Sequence, residues 1–278
     1  MTGVRPAAVA GRFYPADPGR LTADIAAYLS APAPRGPVDI ASASGMRALV
    51  VPHAGYVFSG PTAGVGYRLL PALAGLVERV VLLGPAHYVP VPGVAVSSAD
   101  AWETPLGDAT VDAAARDAVL ARGRDLAPQH GLLVEVDDRA HAPEHCLEVQ
   151  VPFLQQALPG VPIVPLLVGS RDSPAVADLL RPWWDDPATL LLVSTDLSHY
   201  EPQRVAQQLD ARTADAVCRV DADDIGDRDA CGARPLRAVL RLAAADGTRV
   251  RLLDLRTSAD TAGDPYRVVG YGAFAVGA

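Results

Sequence analysis

Short runs of consecutive apolar residues recur along the chain and alternate with stretches of helical periodicity. The runs predict strands at residues 47–51, 79–83, 161–168, 189–194, 250–255 and 268–276, with a weaker one at 94–97. The periodic stretches predict helices at residues 62–73, 111–121, 147–158, 205–217 and 235–244. Pro152 is expected to disturb the third helix, because proline removes a backbone donor. Residues 31–45 are rich in proline and small residues without periodicity, which predicts a loop.

The predicted strands are apolar along their whole length, which is typical of a sheet covered on both faces. Alternation of such strands with helices predicts an α/β fold with a central mixed, largely parallel sheet flanked by helices. The chain shows no internal repeat and no second apolar core. We therefore expect one domain over residues 1–278.

Three of the predicted strands are each followed at once by a histidine. The strand at 47–51 leads into PHAGY with His53, the strand at 79–83 into GPAHY with His87, and the strand at 189–194 into TDLSHY with His199. In open α/β sheets ligands bind outside the carboxyl ends of the strands. A lone loop histidine is often only a hydrogen-bonded structural residue. Three in equivalent positions favour a site at one edge of the sheet.

A fourth candidate lies between the second and third of these histidines, in the sequence RAHAPEHCLE. A helix beginning near Pro143 would place His145 and Glu148 three residues apart on one face, so that Glu148 could orient His145. Alternatively, this is a surface helix terminus where Glu144 interacts favourably with the helix dipole. The pair His141 and His145 has zinc-helix spacing, but the proline between them weakens that interpretation.

Cys231 directly precedes the helix predicted at 235–244, in the sequence DACGARP. A helix N-terminus stabilises a thiolate, which suits the residue to metal ligation or nucleophilic chemistry. A buried cysteine without chemistry is the commoner case. Cys218 lies in an apolar helical stretch and is assigned to the core, and Cys146 is expected to face away from His145.

The net charge, the lengths of the apolar runs and the number of cysteines argue against several classes of protein. The formal net charge of -8 disfavours nucleic acid as a partner. No apolar run is long enough for a signal peptide or a bilayer span, and three scattered cysteines do not form a disulfide framework. These features predict a cytoplasmic protein with no membrane partner.

The chain also contains, in this order, the motifs PHAGYVFSG, GPAHY, EHCLEVQVPFL, STDLSHY and CGARP. Together they resemble the Memo family, whose prokaryotic members are called AmmeMemoRadiSam system protein B. The resemblance runs from RPAAVAGRFY near the N-terminus to VGYGAF near the C-terminus, essentially the whole chain. It implies the fold of class III extradiol dioxygenases. It also implies a radical-SAM protein and a third component of that system as partners.

The resemblance further implies a metal site in the pocket where those dioxygenases hold non-haem iron. By motif, the ligands would be His53, His87 and Cys231. The residues implied to line the same cleft are Asp196, His199 and His145. Cys231 stands where the dioxygenases have a glutamate, which argues against catechol-type ring cleavage. A thiolate is a softer ligand that favours copper, zinc or a different iron chemistry.

Three functions follow from this site. The first is an iron- or copper-dependent redox enzyme in which His145 and His199, expected ~4–7 Å from the ion, relay protons through one water. The second is a non-catalytic metal-handling protein whose cleft binds a small molecule, a peptide or a partner, as eukaryotic Memo proteins are associated with phosphotyrosine peptides. The third is a zinc hydrolase with Asp196 or His199 as general base.

Overall fold

A computed structural model describes residues 3–32, 43, 45–170 and 173–277. Its helices are α1 (Pro18–Ser30), α2 (Tyr56–Tyr67), α3 (Ala113–His130), α4 (Asp138–His141), α5 (Val151–Ala157), α6 (Ser173–Asp185), α7 (Gln203–Cys218) and α8 (Ala233–Ala245). Its strands are β1 (Val4–Arg5), β2 (Ala48–Val51), β3 (Arg79–Pro85), β4 (Val94–Val96), β5 (Ala101–Trp102), β6 (Ala109–Thr110), β7 (Val134–Val136), β8 (Ile163–Val168), β9 (Thr189–Ser194), β10 (His199–Glu201), β11 (Val250–Thr257) and β12 (Val268–Val276).

The main sheet has the strand order β10-β12-β2-β9-β3-β8-β4-β7, with β11 paired to β12. Its centre is parallel, since β9 pairs in parallel with both β2 and β3, and β3 in parallel with β8. Antiparallel pairs flank this centre, β12 on β2 and β4 on β8. A small second sheet joins β1, β5 and β6. The predicted α/β class with a mixed, largely parallel sheet flanked by helices is confirmed.

The two faces of the sheet are covered by different helices. Leu49 and Val51 pack in a cluster with residues of α1, α2 and α5, whereas Ala48 and Val50 pack in a cluster with residues of α3, α6, α7 and α8. Successive side chains of a strand point to opposite faces, so a strand between two helical layers must be apolar throughout. This explains the unbroken apolar runs in the sequence.

Three predicted helices differ from the structure. The helix predicted at 111–121 is α3, which begins at Ala113 and continues to His130. The helix predicted at 62–73 is α2, which begins earlier at Tyr56 and is followed by a 3-10 turn at Leu70–Leu73. Tertiary packing outweighs the weak helix propensity of its glycines, because a Cβ at Gly64 would lie 2.5 Å from the carbonyl oxygen of Tyr28. The helix predicted at 147–158 is the shorter α5, where Pro152 occupies the first turn and so begins the helix rather than disturbing it.

Helices α1 and α6 fall in stretches where the sequence pattern predicts no element. In α1, Asp17 accepts a hydrogen bond from the Arg20 N–H, and Pro18 occupies the first helical position.

Of the predicted loop at 31–45, residues 33–42 and 44 lie outside the described residues. The assignment of residues 1–278 to one domain stays a prediction.

The parallel centre of the sheet positions the segments that follow its strands. β2, β9 and β3 are neighbours in that order, so their carboxyl ends meet at one edge. The segments carrying His53, His199 and His87 leave the sheet at this edge, as the strand-then-histidine order predicts. None of the described helices combines the length and apolarity needed to cross a membrane.

Candidate metal centre

Three histidines converge at the carboxyl edge of the sheet, and we call them the histidine cluster: His53, His87 and His145. One ring nitrogen from each lies within 4.8 Å of the others. Their ring centroids are 5.2 Å apart for His53 and His87, 5.4 Å for His53 and His145, and 4.7 Å for His87 and His145. His53 and His87 follow β2 and β3, whereas His145 comes from the loop before α5.

The hydrogen bonds of Ser194 fix the tautomer of His53. The single hydroxyl proton of Ser194 goes to the carbonyl oxygen of Cys146, 2.6 Å away, and its Oγ accepts from Gln150 Nε2 at 2.8 Å. His53 Nδ1, 2.9 Å from the same Oγ, must therefore be the donor. Burial, with the neighbouring His87 and His145, lowers the pKa of His53 well below its usual value. The ring is neutral, and its Nε2 carries a lone pair that can bind a metal.

Glu144 holds His87 from both ends. Its Oε1 accepts from His87 Nδ1 at 2.8 Å, and its Oε2 accepts from the backbone N–H of His87 at 2.6 Å. Glu144 is buried, which by itself would raise the pKa of its carboxyl, but hydrogen bonds from His145 and His87 outweigh burial and leave this pKa well below its usual range. Carboxylate support of one ring nitrogen leaves the other available as a ligand atom, the usual arrangement at metal sites.

The same carboxylate lies beside the third histidine. His145 Nδ1 is 3.2 Å from Glu144 Oε1, and the backbone N–H groups of His145 and Cys146 also donate to this oxygen. A Cβ at Gly84 would lie 2.7 Å from Cys146 Sγ, so only glycine at the end of β3 lets this loop approach so closely. One buried acid thus supports both His87 and His145.

Cys231 lies beside the Nε2 atom of His53. Its Sγ lies 3.2 Å from His53 Nε2 and 3.2 Å from the backbone N of Asp196. Gly232 makes this approach feasible, because a Cβ there would lie 2.7 Å from the Cβ of Thr195. Burial and then the nearby Asp196 raise the pKa of the Cys231 thiol to about 12, and they outweigh the backbone N–H groups of Asp196 and Gly232 that stabilise the thiolate.

The geometry of these residues fits a transition-metal ion. A tetrahedral ion with ordinary Zn–N and Zn–S bonds separates a nitrogen and a sulfur ligand by about 3.5 Å, close to the 3.2 Å between His53 Nε2 and Cys231 Sγ. Among the described residues, however, the group whose ligand atoms all lie within 4.8 Å contains His145 and not Cys231. A second such group, of His87, Glu144 and Cys146, shares His87. Cys231 as a ligand and His145 as a relay stay predictions.

Asp196 and His199 border the cluster. Asp196 Oδ1 accepts the backbone N–H of His53 at 2.7 Å, and burial raises the pKa of this carboxyl. Asp196 does not cap the helix that follows, because α7 has Pro202 at its N-cap and no side-chain cap there. His199 Nδ1 lies 2.8 Å from the carbonyl oxygen of Leu197, so its Nε2 carries the lone pair. Both residues line a cavity that the histidine cluster also borders.

A cavity of about 590 Å³ opens over the histidine cluster. Its lining includes several aromatic side chains, namely Phe13, Phe58, Tyr88, Tyr200 and Tyr271. At its rim, the guanidinium of Arg267 lies 4.4 Å from the ring centroid of Tyr200. Tyr200 has a φ of 65°, a left-handed conformation that non-glycine residues rarely adopt. An aromatic cavity over convergent polar groups is typical of a small-molecule site.

The structure corrects the assignment of Glu148. No helix begins at Pro143, and Glu148 binds Arg5 and Tyr14 instead of orienting His145. The supporting acid is Glu144, which is buried and not at a surface helix terminus. The only signal for Glu144 in the sequence is its position next to His145. Ser194 and Gln150, which fix His53, carry no signal in a sequence read alone.

Comparisons with known proteins agree with the motifs. A family model described as "Memo-like protein" matches residues 5–275. A "MEMO1 family protein" of Ignicoccus hospitalis is 37% identical over 289 residues, covering 97% of this chain and 97% of the relative. One of Sulfolobus acidocaldarius is 35% identical over 286 residues, covering 96% and 97%. A solved structure of an uncharacterized Escherichia coli K12 protein, JW3007, aligns with a TM-score of 0.49 at 14% identity, covering 82% of this chain and 99% of that one.

Proposed function

The chain belongs to the Memo family, and from that premise we propose that it is a metal-dependent redox enzyme whose ion binds at the histidine cluster. One observation carries the proposal: three imidazole nitrogens converge within 4.8 Å at the base of a cavity. Imidazole lone pairs that face one another cannot satisfy each other, whereas a metal ion can bind several such nitrogens at once.

We further propose iron or copper as the ion, with His53, His87 and Cys231 as the protein ligands. A bound iron or copper ion would supply redox chemistry at coordination positions left open by the protein. Neutral imidazole at His53 supports this assignment, since a metal then displaces no proton from that ring. If the bound ion is zinc, the site would instead be that of a hydrolase.

The chain's other polar residues would handle protons and exclude water. His199 presents Nε2 with a free lone pair, and Asp196 places a buried carboxyl on the same cavity wall. We propose both, together with His145, as the groups that exchange protons with a bound substrate. The aromatic lining would hold an apolar part of that substrate and keep water from the reacting end.

The test begins with metal analysis of protein purified without added metal. We expect iron or copper in near-stoichiometric amount, and oxygen uptake when a reductant is supplied. Replacing His199 by Ala should retain the metal and lose the oxygen uptake. Stoichiometric zinc, with no oxygen uptake, would overturn the redox proposal.

A non-catalytic metal-handling protein that binds a peptide or partner is the second candidate. It is favoured by Tyr88 and Tyr200, which line the cavity with side chains 55% and 61% exposed, because exposed aromatic residues are common at binding surfaces. Stoichiometric metal with slow release and no turnover would support it. In either case we propose a cytoplasmic location, a radical-SAM protein and the third AmmeMemoRadiSam component as partners, and no role for nucleic acid or membrane.

A further inference from the structure

We propose that Arg5, in the N-terminal strand β1, is a positioning residue for the histidine cluster and so sets the metal affinity of the site. The proposal rests on the metal site proposed above. Arg5 does not touch the cluster. It holds the segment that carries two of the residues on which the cluster depends, Glu144 and His145.

The guanidinium of Arg5 binds the main chain of this segment directly. Its Nε donates to the carbonyl oxygen of His141 at 2.9 Å, and its Nη2 donates to the carbonyl oxygens of Glu144 at 2.8 Å and Ala142 at 3.4 Å. Arg5 is only 6% exposed, so these bonds form away from bulk water. The segment around Glu144 is otherwise a turn outside any long helix, and three carbonyl contacts to one rigid group fix its course.

A second set of contacts holds the guanidinium itself in place. Arg5 Nη1 donates to Glu148 Oε2 at 2.7 Å, and the guanidinium carbon lies 4.2 Å from the ring centroid of Trp102. Glu148 is in turn fixed by the Tyr14 hydroxyl at 2.7 Å and by the backbone N–H of Val9 at 2.9 Å. Arg5 is therefore oriented by one set of groups and orients another.

The oriented segment delivers the supporting groups of the site. Glu144 binds both Nδ1 and the backbone N–H of His87, and His145 is a member of the cluster. The N-terminal segment also touches His145 from the cavity side, where the ring centroid of Phe13 lies 4.7 Å from that of His145. A displacement of residues 141–145 would move two of the three imidazoles together.

Arginine is suited to this role in a way that lysine is not. Its planar fork presents donors in fixed directions, whereas the ammonium of lysine is a compact point charge on a flexible stem. Arg5→Lys keeps the positive charge beside Glu148 but cannot reach three carbonyl oxygens in different directions. Glu148→Gln does the converse, because it removes the negative charge of the ion pair but keeps a side-chain oxygen that can accept from Arg5 Nη1, so the carbonyl contacts of Arg5 stay in place.

The two variants should therefore separate positioning from stability. Both should lower the melting temperature of the metal-free protein. With Co²⁺ as the probe, Arg5→Lys should bind ~10-fold more weakly, as when a residue that orients a ligand is lost, with a changed d–d absorption spectrum. Glu148→Gln should match the unsubstituted protein in cobalt affinity and spectrum. If Glu148→Gln does not fold, Tyr14→Phe loosens the same end of the network without removing a charge.

Arg79→Lys is the matched control, since Arg79 also bridges two elements by charged hydrogen bonds but lies at the other end of β3. It should lower stability and leave the cobalt spectrum unchanged. An Arg5→Lys protein with normal cobalt affinity and spectrum would overturn the positioning role, as would an equal loss in Glu148→Gln. Failure of the unsubstituted protein to bind cobalt would instead contradict the metal site itself, so the two failures are distinguishable.

Discussion

The two edges of the central sheet use polar residues in opposite ways. At the edge where β3 begins, Arg79 donates to Asp112 at 2.9 Å and to Asp186 at 2.7 Å. Both acids have further partners, since Asp112 caps α3 through the Ala115 N–H and Asp186 accepts from the backbone of Ala188. The charged side chains of Arg79, Asp112 and Asp186 are therefore all paired within the protein.

At the edge where β2 and β3 end, only some of the ring nitrogens of the histidine cluster have an oxygen partner. Each ring of the histidine cluster has one nitrogen near a supporting oxygen, on Ser194 or Glu144, while another nitrogen is left without such a partner. The comparison indicates that one edge pairs its charged groups within the protein, while the other leaves ring nitrogens available to a bound ligand. The predictions below test this division.

Removing a histidine of the cluster should have the largest effect. We expect His53→Ala to reduce metal content to background, because it removes a nitrogen ligand, while the metal-free protein stays folded. Elemental analysis and a thermal melt measure the two quantities. The matched control is His130→Ala, on α3 and paired with Asp178, which should keep its full metal content. Equal metal content in the two variants would contradict the site.

Replacing the thiol of Cys231 should have the second-largest effect on metal binding. Loss of a residue that only supports a metal ligand weakens metal binding by up to ~100-fold. Because Cys231 is proposed as a ligand itself, we expect Cys231→Ser to weaken copper or iron binding by at least that factor. Cys218→Ser, in α7, should have a much smaller effect. Competition with a chelator of known affinity measures both. If the two serine variants bind alike, the third ligand is His145 and not Cys231.

Weakening the support of the histidines should have an intermediate effect. Glu144→Gln keeps the size of the side chain but removes the charge that accepts from His87 Nδ1, and we expect ~10-fold weaker metal binding. Glu135→Gln, on the exposed side of β7, is the matched control and should bind normally. An unaffected Glu144→Gln protein would show that the carboxylate only holds the backbone.

The opposite edge should respond in stability alone. Arg79→Met should lower the free energy of unfolding by about 1–2 kcal/mol, because charge-assisted hydrogen bonds are lost at a partly exposed site. Its metal affinity should not change. Denaturant titration and the same chelator competition give both values. A loss of metal affinity here would mean that the two edges are not independent.

The sequence alone predicts the sheet and the edge, because both depend on local patterns. The unbroken apolar runs report burial on both faces, and His53, His87 and His199 each follow a parallel strand. The supporting shell depends on contacts between distant segments. Glu148 has the better spacing from His145 for a helix, yet Glu144 supports the site, because the segment is a turn held by Arg5. No spacing rule encodes that turn.

Contacts between distant segments also explain why some helix boundaries were predicted wrongly. α2 begins at Tyr56, where glycines and a proline weaken the local signal, and it forms because close packing on α1 needs those glycines. Local propensity therefore misplaces an element wherever tertiary contact decides. The residues at the site show this most clearly, since Ser194 fixes the tautomer of His53 through partners that lie 48 and 44 residues away in sequence.

The most direct test is crystallography of protein loaded with its own metal, with anomalous scattering measured at the absorption edge of that metal. We predict one strong peak about 2.0–2.4 Å from the Nε2 atoms of His53 and His87, with Cys231 Sγ as the third ligand and His145 facing the same ion from the cavity side. A fully occupied ion bound elsewhere on the chain, with the histidine cluster free of anomalous density, would contradict the account.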